Sequence, residues 1–131
     1  MRIEVSVGEL VDKVTILEIK LERIKDPGKI ANVRREYDLL SVALKEAGIL
    51  RDSAEFRKLK AINQELWDIE DRIRAKERAG QFDAEFIELA RSVYLVNDRR
   101  SEVKRGINLA AGSTLIEEKD HVDYKHPRSE P

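Results

Sequence analysis

The stretch "SVGELVDKVTILEIKLERIKDP", residues 6–27, decides the fold class. Ser6 followed by Glu9 has the form of a capping box, so a helix starts near Val7. Val7, Leu10, Val14, Leu17, Leu21 and Ile24 then recur at alternating threes and fours, the seam a helix buries against one neighbour. Ile16 and Ile19 form a second apolar set on the far side. A helix apolar on two sides is either central in a bundle or shared with another subunit, and Ile16 and Ile19 are the expected interface of a homodimer. The helix stops at "DPGK", where Asp26 caps the next one and Pro27 takes its first position, where a missing N–H costs nothing.

The same rhythm continues outward. Ile30, Val33, Tyr37, Leu40, Leu44 and Ala47 mark a second helix, ended by Gly48 as a left-handed cap. "DSAE" from Asp52 reads as another capping box and opens a long third helix through Phe56, Leu59, Ile62, Leu66, Ile69 and Ile73, stopped by Gly80. Asp83 caps a fourth, which carries Phe86, Leu89, Val93, Val96, Val103 and Ile107 and ends near Gly112. The expected architecture is all-α: an antiparallel bundle of four helices built from two helical hairpins. A short extended N-terminus, "RIEV", precedes it and an irregular C-terminal tail follows. Residues 1–124 are expected to form one helical domain and 125–131 a mobile polar tail. "TLIEE", residues 114–118, is apolar enough to dock beside "RIEV".

Composition bounds the function. The chain has 131 residues, one domain's worth. Charged residues make up 39% and aromatics 5%, which suits helices with ion-paired surfaces better than a sandwich or barrel. Lys and Arg number 25 against 26 Asp and Glu, so no global field attracts a phosphate backbone, and no nucleic-acid partner is expected. Without cysteine there is no disulfide framework or thiolate nucleophile, consistent with a cytoplasmic protein. No run of 18 apolar residues occurs, so membrane insertion is not expected.

One departure from the apolar pattern stands out. In "SVYLVNDRRSEVKR", residues 92–105, Asn97, Arg100 and Lys104 fall on the core-facing arc beside Val93 and Ile107. Helix three has Asn63 and Glu70 flanking Leu66 and Ile73, and helix one has Glu18 between Val14 and Leu21. If the last two helices fold back about Gly80 to Phe82, Asn63 lies near Arg100. A lone buried guanidinium costs several kcal/mol, so Arg100 should find a carboxylate, an amide or open water, with Glu18, Asn63 and Glu70 as the candidates. Such a cluster fixes helix register, as polar residues do in coiled coils, or holds an anionic ligand between a planar fork and a point charge, or leaves Lys104 and Asn97 to snorkel to the rim.

Other chemistry has weaker signals. Glu65, Asp68 and Asp71 in "ELWDIED", and Glu85 and Glu88 in "EFIE", have the spacing of Mg²⁺-holding carboxylates in helical nucleotide hydrolases. In a chain this charged, such spacing is the mark of a solvated face. His121, Asp123 and His126 fall in the non-periodic tail and lack a fixed scaffold. No phosphate loop or nucleophile elbow is present, so no catalytic residue, cofactor or metal site is assigned. Trp67 and Tyr94 sit at the stripe edges, closing the core or anchoring a partner.

"VGELVDKVTILEIKLERIKDP" and "DAEFIELARSVYLVNDRRSEVKRGIN", with "ELWDIED" and "GSTLIEEKDHVDY", resemble a bacterial family whose function is unknown. The likeness spans about residues 3 to 124 and implies a small cytoplasmic helical protein, loosely linked to surface polysaccharide or lipopolysaccharide genes and to repeat-containing partners. It carries no catalytic residues. A bundle of this size is also similar to helical chorismate mutases, but their spaced arginines along the first helix are missing; Lys13, Lys20 and Arg23 lie on its polar side. The expected function is a non-enzymatic interaction or adaptor module with a protein partner. The alternatives are an anion or small-metabolite binding protein or enzyme using Arg100, Lys104, Asn97, Asn63, Glu70 and Glu18, and a Mg²⁺-dependent nucleotide hydrolase.

Overall fold

Helices begin where a short polar side chain can take up a free N–H of the first turn. In the computed structural model, which describes residues 1–125, four helices follow in order: α1 (Val7–Arg23), α2 (Pro27–Glu46), α3 (Ala54–Ala79) and α4 (Ala84–Ala111). Ser6, Asp26, Ser53 and Asp83 cap them. Two expectations change in detail. The cap of α3 is Ser53, not Asp52, because its hydroxyl accepts from the Phe56 N–H at 3.3 Å. The capping box of α1 is half made: Ser6 accepts from the Glu9 N–H at 3.0 Å, but the Glu9 carboxylate turns to Lys104. Gly80 and Gly112 end α3 and α4 at φ 65° and 64°, a left-handed conformation open to glycine at little cost.

The fold is an all-α bundle with α1 at its centre. Helix α1 packs on the other three, α3 packs along α4, and α2 closely approaches α1 alone. Of the two alternatives for a helix apolar on two sides, α1 takes the first. Its Leu10, Val14 and Leu17 seam meets Val33, Tyr37 and Leu44 of α2, with Phe56 and Leu59 of α3 and Ile107 of α4 completing one core. A second core lies between α3 and α4, from Ile62, Leu66, Ile69 and Val96, and Val103 touches both. Ile19 is 1% exposed within the single chain, so it has no surface left for another subunit; Ile16 is half-buried.

Helices α1 and α4 meet backbone to backbone. A Cβ placed on Gly8 would lie 2.5 Å from the Lys104 carbonyl oxygen and 2.9 Å from Asn108 Oδ1. Only a residue without a side chain lets the helices approach this closely. After Gly112 the chain turns back along α4, and the tail docks through Ser113 and Glu117 at the start of α1. Leu115 and Ile116 stay partly exposed. Residues 126–131 of the expected polar tail, including His126, lie outside the described residues.

Alanine normally strengthens an open helix by about 1 kcal/mol over glycine. Gly8→Ala is expected to do the opposite, lowering stability by about 1–3 kcal/mol through overpacking against Lys104. The midpoint of urea unfolding checks this; a raised midpoint would show that α1 and α4 part without cost.

Candidate functional site

Gly8, Asp12, Thr15 and Ile19 recur at four, three, four along α1, the rhythm of a seam, and this face turns to α3 and α4. Asp12 is 1% exposed, and a buried carboxylate must be matched. Its Oδ1 accepts from Arg100 Nε and Asn63 Nδ2, both at 2.9 Å. Its Oδ2 accepts from Arg100 Nη2 and lies 3.7 Å from Lys104 Nζ. The guanidinium thus binds the carboxylate as a planar two-pronged fork, the strongest geometry open to this pair. These hydrogen bonds to Asp12 hold the Arg100 pKa above its ordinary value, against the opposing effect of burial.

Neighbouring groups complete the cluster. Thr15 donates its hydroxyl to the Asp12 carbonyl at 2.7 Å and accepts from Asn63 Nδ2 at 3.0 Å. Lys104 donates to Glu9 at 2.7 Å, and Arg100 Nη1 reaches Asn97 Oδ1 at 3.4 Å. Along α3 and α4, Asn63 and Arg100 stand at the level where one apolar core gives way to the other.

Four of the six expected site residues therefore gather here: Asn63, Asn97, Arg100 and Lys104. Two do not. Glu18 points to the other side of α1, where it accepts from Arg51 Nε at 2.8 Å, Lys60 Nζ at 2.9 Å and Tyr37 at 3.3 Å. Burial opposes the Lys60 charge, but its hydrogen bonds to Glu22 and Glu18 outweigh this and raise its pKa. Glu70, two turns from Asn63, pairs with Arg74 on its own helix, outside the cluster but in the lining of the same open groove as Asn63, Asn97 and Arg100.

Asp12 and Asn108 were not expected from the apolar pattern. Asn108, 1% exposed, accepts from the Gly8 N–H at 2.6 Å and donates to Glu117 at 3.0 Å. Ser6 also donates to Glu117, and the Val7 N–H bonds Ser113 Oγ at 3.1 Å. The first three N–H groups of α1 are thus met by Ser113, Asn108 and Ser6. Partial burial pushes the Glu117 carboxyl up, but hydrogen bonds from Ser6, its own backbone and Asn108, with Lys104 nearby, outweigh it and leave its pKa lowered.

Two open spaces adjoin the cluster. A groove of about 400 Å³ runs between α1, α3 and α4, with Ile16, Leu66 and Trp67 along it and Asn97, Arg100 and Asp71 at its edges. A wider space of about 1030 Å³ lies between α4 and the tail. There Lys119 donates to Asp98 at 2.8 Å, Tyr124 also donates to Asp98, and Tyr124 meets Tyr94 edge-on at 5.0 Å. The hydrogen bonds from Lys119 and Tyr124 lower the Asp98 pKa, and the bond to Asp98 pushes the Tyr124 pKa up to about 12.

The carboxylates with metal-like spacing are spread over surface ion pairs: Glu65 with Arg99, Asp68 with Arg23, Glu85 with Arg72 and Lys76. Glu88 and Asp71 are exposed. Among the described residues, no three His, Cys, Asp or Glu side chains gather to hold a metal, and no helix is long and apolar enough to cross a membrane.

Asp12 and Arg100 both fall in the stretches that carry the family likeness, and the family match runs from residue 1 to residue 131. The chain belongs to the family of unknown function DUF6165. No curated protein and no solved structure matches it.

Removing one partner of the central pair strands the other. Arg100→Ala is expected to cost about 3–5 kcal/mol, and combining Arg100→Met with Asp12→Leu to recover more than half of that, measured as a double-mutant cycle by chemical denaturation. Additive losses would mean that the two are not coupled. The tail responds to acid. Because the folded pKa of Glu117 is lowered from its ordinary 4.5, its contribution to docking is complete above that value and is lost as pH falls through the folded pKa. Amide exchange at residues 113–119 should rise in this acid window while the α3 core stays protected; Glu117→Gln should show fast exchange already at neutral pH.

Proposed function

We propose that this protein is a non-enzymatic helical interaction module whose partner surface is the groove between α1, α3 and α4. One observation carries the proposal: the cations that looked able to hold a ligand are already matched to carboxylates of α1. Arg100 is forked onto Asp12 and Lys104 onto Glu9, so an incoming anion would compete with carboxylates already in place. What the groove offers is an apolar wall of Ile16, Leu66 and Trp67 beside Asp71, an exposed carboxylate with no ion pair among the described residues. That combination suits an apolar side chain of a protein partner followed by a Lys or Arg. A cytoplasmic setting and a role near cell-surface polysaccharide assembly belong to this proposal through the family resemblance alone.

A second reading has one observation in its favour. Arg100 keeps 28% of its side chain exposed on the groove, and its Nη1 makes only the long contact with Asn97. A small anion can approach that edge without breaking the fork.

Trp67 is the sole tryptophan and lies in the groove, so its fluorescence reports occupancy. A partner isolated from the native cell and titrated into the purified protein should shift this emission. Ile16→Glu and Asp71→Lys should each weaken that binding roughly tenfold or more, an anchor-sized effect. Binding that is indifferent to both substitutions removes the groove from the interface. A thermal shift with phosphate or a dicarboxylate, lost in Arg100→Met, would favour the anion reading instead.

A further inference from the structure

Helix α2 buries Val33, Tyr37 and Leu44 against the core, and its backbone closely approaches no helix but α1. Its outward face is not uniformly polar: Leu39 is 71% and Val42 59% exposed. On a wheel of about 100° per residue, Arg35, Leu39, Val42 and Glu46 fall within one narrow arc. Along the axis they are symmetric about the point between Leu40 and Ser41: Arg35 and Glu46 are equally distant from it, and so are Leu39 and Val42. Asp38 and Lys45 lie together on one flank of this arc. Asp38, Lys45 and Glu46 make no ion pair among the described residues, and Arg35 contacts only Asn32 on its own helix at 3.3 Å.

A surface with this symmetry is complementary to itself. A two-fold axis perpendicular to α2, passing between the two helices at the level of their midpoints, sets two copies antiparallel and makes each contact occur twice. We propose that two copies of this chain pair through α2, with Leu39 and Val42 of both copies at the centre. Arg35 then faces Glu46 of the partner subunit, and Asp38 lies beside Lys45 of the partner subunit. Rotation about this axis keeps each flank on its own side, which is why Asp38 meets Lys45 and the opposite flank, with Glu36 and Ala43, brings no like charges together. A parallel pairing would instead set Arg35 against Arg35 and Glu46 against Glu46, so the charges select one orientation.

The proposal uses a face away from the groove and stands independently of the partner reading. Two helices about 30 Å long make a small interface, so the dimer should be reversible and form at about micromolar concentration.

Sedimentation velocity on the full chain over a range of concentrations tests it. A monomer–dimer equilibrium is expected, abolished by Leu39→Glu with Val42→Glu while helicity and melting temperature stay unchanged, because both residues are exposed. Arg35→Glu should weaken the dimer roughly tenfold or more, since two pairs turn repulsive. Adding Glu46→Arg should restore it, whereas a merely structural role for Arg35 predicts no rescue. A monomer at every concentration overturns the proposal. So does a dimer that survives the Leu39 and Val42 substitutions, or one broken by Ile16→Glu instead.

Discussion

The buried carboxylate of Asp12 organises the interior of this bundle. Asp12 sits where water cannot stabilise it, and a carboxylate so placed is tolerable only if protein donors replace the lost hydration. Two helices supply them, α3 through Asn63 and α4 through Arg100 and Lys104, while Thr15 of α1 bridges the Asp12 carbonyl to Asn63. The donors converge only when α3 and α4 stand at one height relative to α1. Apolar cores tolerate sliding between similar arrangements, whereas a forked ion pair does not, so the cluster selects one register among those that the Leu, Ile and Val seams allow.

The rest of the packing follows from the position of α1. Its broad face meets α2 and the ends of α3 and α4 through aliphatic side chains, while its narrow face carries Gly8, Asp12, Thr15 and Ile19. Small and polar residues on that face let α4 come within backbone contact at Gly8 and leave room for the polar cluster. Helix α2 lacks such a second neighbour, and its far side stays available.

Helix number, boundaries and the turn signals were legible in the sequence because capping and apolar periodicity are local properties. Seven-residue spacing also made Asn63, Arg100 and Lys104 visible as intrusions into an apolar arc. What the sequence did not disclose was the partner. Asp12 was not singled out because the apolar letters around it trace the broad face. The narrow face has the same three-four rhythm written in glycine, aspartate and threonine, which a search for hydrophobic letters passes over. Glu18 was the more conspicuous carboxylate, yet six residues from Asp12 it lies round the helix, facing Arg51 and Lys60. Asn108 escaped notice for another reason: its role is to cap a helix about 100 residues earlier, and no local pattern records so distant a contact.

The capping of α1 also has a consequence in time. The Val7 and Gly8 N–H groups are satisfied by Ser113 and Asn108, and Ser6 is itself tied to Glu117. When α1 leaves the ribosome, those residues have not been made. The helix at the centre of the bundle is thus the first to be synthesised and among the last to be completed. Until then the first hairpin also lacks Phe56, Leu59 and Ile107, which complete its apolar core, so the finished packing of α1 waits for translation to reach the fourth helix.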